Sequence, residues 1–433
     1  MSTLSILSDF FSSKKVLLLG YGREGKSSHA LLNTINTHAL LGVADSRTEV
    51  DLLSGNISKH LGNDYLSSIK DYDIVLKSPG IPLQEEIWTQ YEDKLTSQVE
   101  LFLSHYKGTC IGITGTKGKT TSTGILASIC RSDRRKTHVV GNIGVPIFEV
   151  LDDINTKDTV VLELSSHQLH HCKASPPFAL FLNLYQEHLD YYDSFKEYQE
   201  AKKNIFRFQD SSNIAVANED LLPIFESTFQ NKNISYFNLS TEVPFLRSDF
   251  SHLPGDHLYS NLIGIYKIAK QLGISTDTII EGINKFTLDT HRLEQVGKKK
   301  GITFINDSAA TIPEATIAAI DTFPNTKSVI IGGFDRGVNL GILEKSVITL
   351  ENIQFIFIPE TGHQIYNQLH AKGIATDRIH LAKDIAQAIT IAETVTPKNS
   401  TCLFSPAAAS YHKFANYQQR GDMFKELIHA LDE

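Results

Sequence analysis

The sequence predicts an α/β protein of three domains, each an open, doubly wound sheet. Two observations carry this reading, and chain length agrees with it. Three apolar runs end in glycine: Val16-Leu-Leu-Leu-Gly20, Cys110-Ile-Gly-Ile-Thr-Gly115 and Ser328-Val-Ile-Ile-Gly332-Gly333. Continuous apolar runs of this kind suit parallel strands buried on both faces. Helical patterns separate the runs, as at 195–208 and 262–272, and alternating strands and helices build doubly wound sheets. The length of 433 residues fits two or three domains. No Pro/Ser linker marks the borders, which are expected near residues 97 and 288, giving domains 1–97, 98–288 and 289–433.

Composition narrows the function. Apolar residues make up 41% and charged residues 21%, as in a globular rather than a disordered chain. The net charge of −8 argues against a nucleic-acid partner, because neutralising a phosphate backbone needs excess cations. The cysteines Cys110, Cys130, Cys172 and Cys402 are scattered, so neither a disulfide framework nor a thiolate zinc site is expected. No apolar run reaches membrane-helix length, so no membrane insertion is expected. The Lys14-Lys15 pair follows the apolar N-terminal stretch, whereas a secretory signal has the reverse order. A cytoplasmic protein is the expectation.

The first strand runs into Gly20-Tyr-Gly22-Arg-Glu-Gly25, a G-x-G-x-x-G turn that lets a pyrophosphate approach a helix N-terminus. A second apolar run ends at Asp45, 25 residues beyond Gly20, somewhat far for a ribose-binding acid. A nicotinamide-dependent oxidoreductase, a domain for another nucleotide such as the UDP of an activated sugar, and a tight turn without ligand all fit these residues. Ser78-Pro-Gly80 follows the apolar Ile74-Val-Leu76, at a strand's carboxyl end where ligands sit in open sheets.

The second strand runs into Gly115-Thr116-Lys117-Gly118-Lys119-Thr120-Thr121. Such a loop cradles phosphates with its backbone N–H groups; Lys119 would reach the β/γ-phosphates and the Thr120 hydroxyl would ligate Mg²⁺. The full motif would place glycine at 113, where the chain has Ile113. Mg²⁺ needs further oxygen ligands, and Glu163, closing the run Thr159-Val-Val-Leu-Glu163, stands where one is expected. A solvated glutamate at a strand end fits that residue alone equally well. A nucleotide switch that forms no bond is a second functional class, but no Asn-Lys-x-Asp element for guanine lies near the loop.

Further along, His188 follows the apolar run from Phe181 and could ligate a second metal or touch a phosphate; taken alone, it also fits a structural hydrogen-bonding role. In the next helical pattern Phe195, Tyr198, Ile205 and Phe206 mark an apolar face that includes Lys202. Lys203, turned about 100° away, is expected in solvent. Burial lowers an amine's pKa, and a neutral amine can become N-carboxylated; a lysine stem lying along apolar surface with its ammonium in water is the plainer alternative.

Together these motifs resemble the Mur ligases, ATP-dependent amide-forming enzymes of peptidoglycan precursor synthesis. The resemblance spans nearly the whole chain. It rests on 115–120, Gly141-Asn-Ile-Gly144, Leu162-Glu-Leu-Ser-Ser-His-Gln168, Glu187-His-Leu-Asp190, Ala201-Lys202, His291-Arg-Leu-Glu294, Asn306-Asp-Ser308, Gly332-Gly333 and Ser405-Pro-Ala-Ala-Ala-Ser410. It implies a Rossmann-like N-terminal domain holding UDP, a central P-loop ATPase domain and a Rossmann-like C-terminal domain carrying the incoming amino acid. By this resemblance Arg23, Glu24, Asp45, Ser46 and Arg47 contact uridine, and Ser78 and Gly80 the diphosphate. Asn142, Ser165, Gln168 and His188 surround the muramoyl end. Asn261, Arg292 and Asp307 join residues 115–121 in binding ATP. Lys202 is N-carboxylated, and Lys119, Asn142, His188 and Lys202 form the catalytic set. Two Mg²⁺ ions are implied, the first on Thr120 and Glu163, the second on His188 and Lys202. Ser410, Tyr411 and Tyr417 line the amino-acid pocket.

The implied reaction adds glutamate to UDP-N-acetylmuramoyl-L-alanine through an acyl phosphate, with the third domain closing over the site and the chain acting as a monomer. Two positions depart from the family pattern: Leu258 replaces an asparagine, and Ala309 a lysine that grips glutamate. Arg336 is the expected substitute cation. D-glutamate is the favoured substrate, with an L-glutamate-adding variant as the alternative.

Overall fold

The computed structural model of the chain describes residues 2–53, 57–188, 191–225, 228–229, 233–250, 252–288, 290–337, 339–374 and 377–432. The three glycine-ended runs form the strands Lys15–Leu19, Thr109–Thr114 and Thr326–Ile331, each within a different sheet.

The first sheet has five parallel strands in the order Ser58–Leu61, Leu40–Asp45, Lys15–Leu19, Ile74–Lys77, Leu95–Thr96. Its winding reverses between Lys15–Leu19 and Ile74–Lys77, so a crevice opens at their carboxyl ends. The helix Arg23–Ile35 packs hard on the first turn: a Cβ on Gly25 would lie 2.2 Å from the Gly20 carbonyl oxygen, so only glycine fits there.

The second sheet has six parallel strands: Ile234–Phe237, Ile214–Asn218, Phe178–Phe181, Thr109–Thr114, Thr159–Glu163 and Thr137–Gly141. Thr159–Glu163 is buried at every residue, as its unbroken apolar run requires. The helix Phe195–Arg207 starts on a Ser194 cap that accepts the Glu197 N–H and buries Tyr198, Ala201, Lys202, Ile205 and Phe206. The expectation for Lys203 is corrected here. It is buried, and its ammonium donates to Glu200 (2.8 Å) and the Thr228 hydroxyl (2.9 Å). The helix is enclosed on more than one side over 201–206, so helical periodicity no longer separates core from solvent. Both sheets lie in one compact unit, residues 1–246 and 260–286, and share an apolar cluster running from Leu7 through Phe102 and Leu162 to Phe229.

Residues 247–259 and 287–433 form the second unit. Its sheet runs Glu294–Lys299, Ile302–Asn306, Thr401–Phe404, Thr326–Ile331, Gln354–Phe357, Ile379–Leu381, with only the first strand antiparallel. Separate apolar clusters cover its two faces, around Val329 and Phe355 and around Ile330 and Phe424.

Candidate active site

The 115–121 loop leaves the carboxyl end of Thr109–Thr114 and enters the helix Lys119–Ser132. Asn183 holds it in shape. Its carbonyl accepts the Thr116 N–H (3.0 Å), its side-chain oxygen the Lys117 N–H (2.8 Å), and its amide donates to the Lys117 carbonyl (3.0 Å). Gly118 caps the helix at φ +80°, and a Cβ there would meet the Asn261 amide nitrogen at 2.4 Å. The loop therefore sits at a helix N-terminus whose first N–H groups lack intrahelical partners, a ready anion site. Lys119 Nζ folds back onto the Gly115 and Thr116 carbonyls (2.9 and 3.0 Å). Thr120 follows, half-buried, and Thr121 is buried.

Glu163 ends the adjoining strand, paired with Ile113, and is 1% exposed. Its Oε1 accepts from the Asn142 amide (2.7 Å), while Oε2 is buried with no hydrogen-bond partner among the described residues. A buried, half-satisfied carboxylate is costly, and a hard cation is the partner its chemistry suits. Among the described residues no three His, Cys, Asp or Glu side chains cluster as a metal site. An ion here would draw its other ligands from hydroxyl, water and phosphate oxygens, as Mg²⁺ commonly does.

Lys202 is buried and faces the same loop, donating to the Gly115 carbonyl (2.9 Å) and lying 5.1 Å over the Tyr198 ring. Burial, reinforced by the nearby Lys119 charge, pushes its amine well below the usual lysine range. Tyr198 in turn meets the Thr116 hydroxyl (3.0 Å). Glu187 pairs with Lys117 (2.9 Å). Burial raises the Glu187 carboxyl, but Lys117, His188 and Lys119 more than offset this and hold it below its ordinary value. His188 lies 3.7 Å from Glu187 and packs edge-on against His167. Leu189 and Asp190 of the same motif lie outside the described residues.

A cleft of about 330 Å³ brings together Arg23, Glu24 and Gly80, from beside the first sheet, with Asn142, Ser165 and Gln168, from beside the second. Asn142 is thus a wall of the cleft and a partner of Glu163, which joins the cleft to the phosphate loop. Ser165 and Gln168 form a capping box on the short helix Ser166–Leu169, and Gln168 donates to Glu24 (2.9 Å). Asp45, Ser46, Arg47 and Ser78 are not walls of this cleft. Asp45 accepts the Tyr21 N–H (2.8 Å) and pairs with Arg47 (2.7 Å), whose hydrogen bonds hold its carboxyl at about 2 against the opposing effect of burial. Ser46 lies between them, exposed. The Ser78 hydroxyl donates to the Gly20 carbonyl (3.0 Å).

In the second unit, Ser410 and Tyr411 line a cavity of about 270 Å³ together with Gly333, Phe334, Lys413 and Arg420. Arg336 lies 5.8 Å over the Tyr411 ring, and the Tyr417 carbonyl accepts from Ser308 (2.8 Å); neither is a wall of the cavity. Asp307 accepts from Ser405 (2.8 Å), and burial pushes its carboxyl up to about 7. Arg292 follows His291 in a turn whose flanking residues both have positive φ. Leu258 is buried, and Ala309 donates its N–H to the His291 carbonyl.

The sequence reading missed Asn183, Tyr198 and Arg420 as site residues. Asn183 sits just past a strand's carboxyl end, the one signal available for it. Arg420 is buried and donates to the Ala408, Ala409 and Ser308 carbonyls. It lies on the stripe Arg420, Gly421, Phe424, Ile428 of the last helix, where an arginine among apolar positions is the visible anomaly.

The family model of the Mur ligase middle domain matches residues 113–263. A UDP-N-acetylmuramoylalanine–D-glutamate ligase of Elusimicrobium minutum is 30% identical, the match covering 97% of this chain and 99% of that one. The ligase of that name from Streptococcus agalactiae is 32% identical, over 97% and 98%. The solved structure of MurF ligase from Thermotoga maritima in complex with ADP superposes with a TM-score of 0.62 at 17% identity, covering 98% of this chain and 96% of that one. That of the UDP-N-acetylmuramate–alanine ligase from the same organism gives 0.57 at 19%, covering 96% and 99%.

Proposed function

The chain belongs to the Mur ligase family, and on that premise we propose that it joins D-glutamate to UDP-N-acetylmuramoyl-L-alanine with ATP, releasing ADP and phosphate. One observation carries the reading: Lys119 and Lys202 both donate to carbonyls of the 115–121 loop, and Asn142 links Glu163, at the end of the adjoining strand, to the neighbouring cleft. No helix among the described residues is long and apolar enough to cross a membrane. A cytoplasmic, monomeric enzyme of three domains bounded near 97 and 288 is the working picture.

A carboxylate is a poor acyl donor because its leaving group is oxide. The acceptor's muramoyl end lies among Asn142, Ser165, Gln168 and His188, and its alanyl carboxylate attacks the γ-phosphoryl group of ATP in line. Arg23, Glu24, Asp45, Ser46 and Arg47 contact the uridine, and Ser78 and Gly80 the diphosphate. The N–H groups of 115–121 cradle the triphosphate, Lys119 leaves its carbonyls to neutralise the transferring oxygens, and Asn261, Arg292 and Asp307 bind the nucleotide. Thr120 and Glu163, and His188 with N-carboxylated Lys202, are the residues that would hold Mg²⁺, which supplies further neutralisation of phosphate charge. Carboxylation of Lys202 consumes a neutral amine and carbon dioxide and releases one proton. The glutamate amine, its carboxylates held by Arg336, Ser410, Tyr411 and Tyr417, attacks the acyl phosphate, and phosphate leaves.

The test is phosphate release from ATP with acceptor and each glutamate enantiomer in parallel. Release that needs both the acceptor and D-glutamate supports the reading. Release without them points to an ATPase switch, and preference for L-glutamate overturns the stereochemical assignment.

A further inference from the structure

Tyr21 stands between Gly20 and Gly22 of the first turn, and the reaction derived above gives it no task. Its side chain is buried and meets His29, itself buried in the helix Arg23–Ile35, through a hydrogen bond between the hydroxyl and Nδ1. A buried phenol and a buried imidazole each need such a partner. His29 Nε2 has none among the described residues.

The same tyrosine joins the glycine turn to the loop after the strand Leu40–Asp45 at three points. Its N–H donates to Asp45 Oδ2 (2.8 Å), its carbonyl accepts from Arg47 Nη2 (3.0 Å), and its hydroxyl accepts the Leu53 N–H (3.1 Å). A hydroxyl has one proton to give and lone pairs to accept with. With the Leu53 N–H accepted, its own proton is paired when His29 Nδ1 is the acceptor, which a neutral ring allows. Burial, with His38 adding to it, lowers His29, and burial raises Tyr21, so both are neutral near pH 7.

Other contacts hold this loop less sharply at its far end. Near the strand, the Gly62 N–H donates to the Asp45 and Arg47 carbonyls (3.0 and 3.2 Å). Farther on, Val50 and Leu52 pack against the apolar cluster, and Lys26 pairs with the exposed Asp51 (3.2 Å). Apolar packing has no direction, and an exposed ion pair adds little. The bond from the Leu53 N–H to the Tyr21 hydroxyl fixes the backbone itself.

Resting on the uridine reading above, we infer that Tyr21 is a positioning residue for the nucleotide end of the acceptor. Its phenol, held by His29, anchors the loop at Leu53 while its backbone anchors Asp45 and Arg47, so that the Asp45–Arg47 edge is set before the ligand arrives. An edge ordered in advance binds more tightly, because less freedom is lost on binding.

The experiment uses the full chain, with UDP as the probe in titration calorimetry beside steady-state kinetics and thermal melting. Y21F keeps the ring and removes the hydroxyl. It should weaken UDP binding and raise the acceptor KM about three- to tenfold, the worth of one hydrogen bond, while the ATP KM stays within about twofold. It should also melt lower, because His29 is left buried without a partner. The Y21F/H29L double variant removes that stranded ring: it should regain melting temperature, yet bind UDP as weakly as Y21F. Unchanged UDP binding by Y21F, an ATP KM that rises in step, or a double variant that regains UDP affinity together with stability would each overturn the inference. If Y21F does not fold, the double variant decides, and parental UDP affinity there overturns it. A parent enzyme that does not bind UDP would defeat the uridine reading instead, which separates the two failures.

Discussion

Lys202 shows how one residue's chemistry depends on its surroundings. In the sequence it is one of two adjacent lysines on a helical pattern. In the structure both are buried, but Lys203 has Glu200 as counterion, whereas Lys202 faces backbone carbonyl, a tyrosine ring and the like charge of Lys119. Burial of Lys202 there favours a neutral, nucleophilic amine. Lys202→Ala should therefore lose most activity and be largely rescued by added acetate or formate, whose oxygens can occupy the place of the proposed carbamate. Full activity of the variant without any added acid would remove Lys202 from the site. Glu163 is a parallel case: strand position nominated it, but only the buried Oε2, unpartnered among the described residues, distinguishes it from a solvated glutamate.

Among the elements, the strand–loop–helix unit around 109–132 is the most legible, because its glycines are dictated by backbone geometry. Gly118 adopts φ +80° and a Cβ would strike Asn261. Forcing an L-residue into that region costs about 1–2 kcal/mol. Gly118→Ala should lower the melting temperature modestly and raise the ATP KM sharply, since the cap residue and the proposed nucleotide contact Asn261 move together. An unchanged ATP KM would show that the loop tolerates the shift. Asn183 was not legible in the same way. Its side chain closes the loop from just past a neighbouring strand, 66 residues from Lys117, and nothing in local spacing records such a contact.

The whole molecule consists of two compact units with different electrostatic problems. The second carries Asp307, whose carboxyl is raised from its ordinary 3.8 to about 7 by burial. Below about pH 4 the group is protonated whether the chain is folded or not, and its contribution to stability is complete. Between about 4 and 7 the unfolded chain releases the proton while the folded one keeps it, so stability falls as pH rises through that window and levels off above it. Asp307→Asn removes this dependence. Melting temperatures measured from pH 4.5 to 8 should fall less steeply in the variant than in the parent. Parallel curves would place the Asp307 proton elsewhere.

By itself the sequence determined the three glycine-ended strands, the α/β class, the phosphate loop and the family, because each rests on short-range rules: buried parallel strands must be apolar, and tight turns at helix N-termini need glycine. The tertiary structure alone decided which candidates share a site. It placed Asn142 against Glu163 and Gln168 against Glu24, set Asp45 against the Tyr21 N–H, and left Arg336 and Tyr417 off the walls of the second unit's cavity. Charge, burial and hydrogen-bond partners are properties of residues far apart in the chain, and they exist only once the sheets have packed.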